Sequence, residues 1–229
     1  IDGGGHIDLI TSKQQNIEVM LGYGTGNFAA PSTLYADSID DMAIADFDGD
    51  GDSDLLVTDG GNAGSDYMIE NDGTGNFNST VAFSAGDVAW LETHDFDGDG
   101  DSDVIMYDGS GLTLRTNDGT GWSRFNPSSE NETVLVQGGT TSFSAAGKIG
   151  DIDGDGDIDI VDVRSPHTAS SINSELRFFI NDGAGTFSDA GATDIPQNTI
   201  SEFTIKDMDL DGDLDLITFD NEDIKILHN

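Results

Sequence analysis

Asp46-Phe47-Asp48-Gly49-Asp50-Gly51-Asp52-Ser53-Asp54-Leu55-Leu56-Val57 is the stretch on which the fold turns. It returns as Asp95-Phe96-Asp97-Gly98-Asp99-Gly100-Asp101-Ser102-Asp103-Val104-Ile105-Met106. A third copy runs Asp151-Ile152-Asp153-Gly154-Asp155-Gly156-Asp157-Ile158-Asp159-Ile160-Val161, and a fourth runs Asp207-Met208-Asp209-Leu210-Asp211-Gly212-Asp213-Leu214-Asp215-Leu216-Ile217. Each acidic loop runs into an apolar, β-branched segment. Carboxylates at alternate positions with glycine between them cannot continue a strand, so each copy reads as a loop that feeds one.

A second motif follows each loop: Asn71-Asp72-Gly73-Thr74-Gly75-Asn76-Phe77, Asn117-Asp118-Gly119-Thr120-Gly121-Trp122 and Asn181-Asp182-Gly183-Ala184-Gly185-Thr186-Phe187, with Gly22-Tyr23-Gly24-Thr25-Gly26-Asn27-Phe28 near the start. Asn-Asp-Gly and Asp-Gly-Thr-Gly steps supply residues that tolerate positive φ, a hairpin signal. The expected role of this motif is structural, with the glycines turning the chain and the aromatic packing between neighbouring repeats. A phosphate-binding loop would need a following helix and usually a lysine, and both are missing.

The repeat spacing is about 46 to 56 residues, the length of a four-stranded propeller blade. One strand enters the aspartate loop (Met42–Ala45) and one leaves it (Leu55–Thr58). A third precedes the glycine motif (Leu176–Ile180) and a fourth follows it (Thr133–Val136). No window has a helical period. The expected fold is therefore all-β, a β-propeller-type array of four-stranded antiparallel blades with about four and a half repeats. The whole chain, 1–229, reads as one repeat domain, with repeats near 1–36, 37–85, 86–140, 141–196 and 197–229. The first repeat lacks its first strand and the last lacks its fourth. The chain is thus expected to be a fragment of a larger propeller, to close with fewer blades, or to stay open with end blades that pair between copies and build a filament.

The loops carry the chemistry. Calcium takes six to eight oxygens at about 2.3–2.6 Å, and a loop with carboxylates at positions 1, 3 and 5 can wrap one ion. Glycine at position 6 allows the sharp turn, position 7 offers a carbonyl and position 9 a further carboxylate. The expected metal residues are Asp46, Asp48, Asp50, Asp52 and Asp54; Asp95, Asp97, Asp99, Asp101 and Asp103; Asp151, Asp153, Asp155, Asp157 and Asp159; and Asp207, Asp209, Asp211, Asp213 and Asp215. A merely solvated acidic turn is disfavoured, because two like charges near 4 Å cost roughly 1 kcal/mol in water and about 4 kcal/mol at a surface-like dielectric. Magnesium keeps its waters, and zinc or copper would want nitrogen or sulfur, so about four calcium ions per chain are expected. An EF-hand would carry Glu at position 12, where Val57 stands. The Gly-Gly-x-Gly-x-Asp array of RTX proteins is also absent. The opening copy, Asp2-Gly3-Gly4-Gly5-His6-Ile7-Asp8, has glycine at position 5 and is expected to hold no ion, or a weakly held one.

The Asp-x-Asp-x-Asp-Gly-Asp-x-Asp pattern, followed by Asn-Asp-Gly-x-Gly-x-Phe, resembles the FG-GAP/VCBS repeat family across essentially the whole chain. The resemblance implies propeller blades with calcium in the hairpin loop between the first two strands. It also implies an extracellular adhesion or recognition role with a protein or glycan ligand, as in integrin α-subunit heads and secreted bacterial surface proteins.

Composition narrows the partners. Lys and Arg number 8 against 45 acidic residues, for a formal charge of −37. Nucleic acid and anionic membrane surfaces are excluded for want of a basic footprint. No apolar stretch is long enough to span a membrane. There is no cysteine, hence no disulfide framework or thiolate metal site. The four histidines, His6, His94, His167 and His228, fall in different repeats without a shared motif, and no nucleophile elbow or His-Glu-x-x-His is present. The chain is thus read as a non-enzyme. A calcium-stiffened structural subunit is the alternative, and a polysaccharide-cleaving carboxylate pair is the rival from another class. Asn78 and Asn131 stand in Asn-x-Ser/Thr sequons that suit a secreted protein.

Overall fold

The structure, a computed structural model, describes all residues except 14–15, 36–38, 59–65, 84–87, 89, 109–110, 120–131, 138–144, 165–173, 196–201 and 220–223. The described residues are all-β. They contain no helix long and apolar enough to cross a membrane.

The strands form antiparallel meanders in chain order. β1 (Leu9–Lys13), β2 (Asn16–Met20) and β3 (Ser32–Tyr35) make a three-stranded sheet. β4 (Asp41–Ala45), β5 (Asp54–Thr58), β6 (Asp66–Asn71) and β7 (Phe77–Phe83) make a four-stranded one. So do β8 (Trp90–His94), β9 (Asp103–Asp108), β10 (Gly111–Arg115) and β11 (Glu132–Gln137). The next four-stranded sheet joins β12 (Ala145–Gly150), β13 (Asp159–Arg164), β14 (Ser174–Asn181) and β15 (Phe187–Ile195). The last, three-stranded, joins β16 (Glu202–Lys206), β17 (Asp215–Phe219) and β18 (Ile224–Leu227). Each sheet is a propeller-type blade, and each lies within one of the repeats read from the sequence. The aspartate loops join the first two strands of a blade, and the Asn-Asp-Gly turns join its last two.

The chain divides into two compact units: Ile1–Asp95 with Asp99–Val136, and Phe96–Gly98 with Gln137–Asn229. In the first unit, β5 is buried on both faces, which a period-2 strand can be only when sheets cover both sides. Leu55 and Val57 pack with Ile17, Val19 and Ile69. Leu56, on the opposite face, packs with Phe47, Met68, Leu91, Val104 and Met106. Each such side chain contributes about 1.5–3 kcal/mol of burial. The second unit repeats the plan, with Val161, Val163 and Leu176 packed against Phe203 and Leu216.

The aromatic of the glycine motif is not uniform. Phe77 packs against the Leu55 cluster, and Phe187 meets Phe96 edge-on with ring centroids 5.8 Å apart. Phe28 is exposed, and Trp122 lies outside the described residues. Of the two sequons, Asn78 falls on β7 and Asn131 lies outside the described residues.

Candidate metal centres

In each loop the position-1 aspartate folds the backbone around itself. Asp46 accepts N–H bonds from Gly49 through Oδ1 (2.8 Å) and from Gly51 through Oδ2 (2.9 Å). Asp151 does the same with Gly154 and Gly156, and Asp207 with Leu210 and Gly212. Asp95 takes Asp99 and Gly100. The carboxylates at positions 3 and 5 then accept the N–H two residues on, as in Asp50 to Asp48 (3.1 Å) and Asp52 to Asp50 (2.9 Å). Position 6 is glycine in all four loops with φ between 95° and 106°, so the turn requires it.

This winding gathers acids. Ligand oxygens of Asp46, Asp48 and Asp50 lie within 4.8 Å of one another, as do those of Asp95, Asp97 and Asp99, and of Asp207, Asp209 and Asp211. In the third loop the gathered set is Asp151, Asp153 and Asp159. Crowding leaves its mark on acidity. Burial, then the charges of Asp50 and Asp46, push the Asp48 carboxyl up, and burial with Asp211 and Asp215 does so for Asp209. The donors are hard oxygens, and nothing among the described residues of the first two loops offers nitrogen or sulfur. That donor set fits a hard divalent cation.

The residues flanked by these loops recur along the chain in a pattern already known elsewhere. The FG-GAP-like repeat matches residues 1–57, 46–106, 95–161 and 164–218. The chain belongs to the FG-GAP-like repeat family. All four matched segments end in a strand that follows an aspartate loop, and the second and third also begin on such a loop, so the loop is the boundary mark of the repeat. No curated protein is similar to the chain in sequence. Among solved structures, it resembles a lectin of Agrocybe aegerita, described for specific recognition of non-reducing terminal N-acetylglucosamine. The TM-score is 0.55 at 20% identity over 86% of this chain, and the chain spans about half of that protein (50%).

In each FG-GAP loop position 7 is not among the gathered acids; position 9 is outside them in the first two loops, while Asp159 joins the set of the third and Asp215 gathers with Asp209 and His228. Position 9 is a bolt. Asp54 is fully buried; Oδ2 accepts the Phe47 N–H (3.1 Å) and Oδ1 the Asn71 N–H (2.9 Å). Burial pushes its carboxyl up to about 6, against the lowering pull of those two N–H groups. Asp159 bonds Ile152 and Asn181 in the same way, and Asp215 bonds Met208 and Asn229. Asp103 accepts from Asn117. Even the degenerate opening copy keeps the device, since Asp8 accepts from Gly22 and pairs with the Ile1 nitrogen at 3.0 Å.

Position 7 is a packing residue. The carboxylate of Asp52 lies against Gly73, that of Asp101 against Gly119 and that of Asp157 against Gly183, each filling the space a Cβ would take. The Asn-Asp-Gly glycine is thus required twice, by its positive φ (72° at Gly73) and by the aspartate beside it.

Sequence reasoning missed the asparagine. Asn71 Nδ2 donates to Ile1 O (2.8 Å), Asn117 to Phe47 O (2.9 Å), Asn181 to Phe96 O (2.9 Å) and Asn229 to Ile152 O (3.0 Å). Each is a latch to position 2 of the aspartate loop belonging to the preceding blade. The signal is present, since asparagine recurs at this step in four repeats, but its turn-forming chemistry masks the latch.

Proposed function

We propose that this chain is a calcium-binding recognition module of the extracellular space, in which the ions are structural. The observation that carries the reading is the gathering of three carboxylates within 4.8 Å in each of four loops, each loop joining two strands of a blade. The residues that would hold the ions are those at positions 1, 3 and 5, with Asp159 in place of Asp155 in the third loop. Calcium supplies charge neutralisation there. The chain itself supplies the N–H network that holds the carboxylates in place before an ion arrives. Extracellular modules bind calcium at about 10⁻⁴–10⁻³ M, so such loops fill outside a cell and stay largely empty within one.

The ligand class is a glycan. This rests on the likeness to the lectin, together with a surface too acidic to take nucleic acid. The module is a binder and not a catalyst. Glycan-array binding in calcium buffer, with terminal N-acetylglucosamine among the probes, tests the reading. Retention of at least one glycan class, abolished by chelator, is the expected result. No glycan retained in calcium, with a protein ligand recovered instead, overturns the glycan assignment. Cleavage of any arrayed polysaccharide overturns the non-enzymatic one.

A further inference from the structure

The four loops differ at one neighbouring position. The N–H of Asn71, Asn117, Asn181 and Asn229 bonds the position-9 aspartate of its own blade, which fixes the register. The residue just before that asparagine is therefore equivalent in all four: Glu70, Thr116, Ile180 and His228. Only the last brings a nitrogen. His228 Nδ1 stands 3.2 Å from Asp215 Oδ1 and 3.4 Å from Asp209 Oδ2, and the three atoms form a gathered set of their own.

We propose that His228, Asp209 and Asp215 form a mixed nitrogen–oxygen site that takes a first-row divalent ion of the zinc class, so that the last loop differs in metal preference from the other three. Three features support it. Bonds of about 2.0–2.2 Å to tetrahedral zinc place ligand atoms about 3.3–3.6 Å apart, close to the two distances from Nδ1. Asp215 is also pre-set, because the Asn229 and Met208 N–H groups hold its two oxygens and leave 2% of the side chain exposed. Imidazole favours zinc, copper or nickel over calcium, whereas the all-carboxylate loops have no such bias. His228 and Asp209 are half-exposed, which leaves the remaining coordination positions to water.

The inference rests on the reading of the aspartate loops as metal sites, yet it can fail separately. The test is a calorimetric zinc titration of the full chain at neutral pH with calcium in excess. It is repeated on His228→Gln and on a His94→Gln control, with cobalt(II) as a spectroscopic substitute. One zinc per chain is expected in the parent and in His94→Gln. Affinity should fall at least about tenfold in His228→Gln. Visible d–d bands of bound cobalt should be lost in that variant. A cooperative calcium-loaded melt in His228→Gln certifies that the variant is folded. Equal zinc affinity in parent and His228→Gln, or no cobalt spectrum in the parent, overturns the proposal. Zinc held through His228 in a chain that binds no calcium would instead sink the calcium reading and leave this one standing.

Discussion

Asp48 and Asp54 belong to one loop and have different tasks. Asp48 is crowded by Asp46 and Asp50, and its charge is costly unless a cation answers it. Asp54 answers two buried backbone N–H groups. Asp48→Asn is therefore expected to lower the calcium count by one, or weaken that ion by an order of magnitude or more, while leaving the chelated melt unchanged or slightly raised. Asp54→Asn turns an amide N–H₂ toward a backbone donor and is expected to cost about 1–3 kcal/mol in urea unfolding with or without calcium. If the two variants behaved alike, the division of labour would be wrong. Leu210 supplies a second residue-scale test. It stands where the other three loops have glycine, with φ of 67°, and its side chain is 87% exposed. Leu210→Gly should therefore stabilise the protein by about 1 kcal/mol, since it relieves left-handed backbone strain and gives up almost no burial. A destabilised variant would show that the leucine has a partner.

The blades themselves were legible. Apolar β-branched runs beside Asp-Gly loops and Asn-Asp-Gly turns place the four strands of a period, and β4, β5, β11 and β14 contain the segments read from composition and spacing. The run of alternate acids was legible too, but its alternation carries no sign that position 7 packs on a glycine and position 9 bonds backbone N–H groups. What connects the elements was not legible. The Asn117–Phe47 latch spans 70 residues and the Asn181–Phe96 latch 85, and neither leaves a local period. The Asp52–Gly73 contact joins a loop to a turn across the blade, where sequence spacing carries no information about which carboxylate points where. Asn117→Ala should cost about 0.5–1.5 kcal/mol, because it removes the buried bond from Asn117 Nδ2 to the Phe47 carbonyl. Gly73→Ala should cost more than the 1–2 kcal/mol of left-handed strain alone, and part of that excess should vanish in an Asp52→Ala background. Additive effects of the two changes would mean that the side chains do not meet.

At the scale of the whole molecule the issue is charge. The formal value is −37, and four bound divalent ions would still leave −29. Self-repulsion of this size is spread over a length that salt can screen, since the Debye length falls from about 30 Å at 0.01 M to about 3 Å at 1 M. Stability in chelator should rise with sodium chloride over that range, whereas the calcium-loaded protein should respond weakly, its sharpest repulsions being already neutralised within the loops. The reverse order would place the destabilising charge outside the loops. The account as a whole depends on those loops being cation sites that hold the blades together. The measurement that tests this most directly is a thermal melt with and without chelator, paired with a metal count per chain. About four calcium ions, and a melting point that collapses on chelation, are predicted. A chain that carries no calcium, or one whose melt ignores the chelator, would contradict the account at its centre.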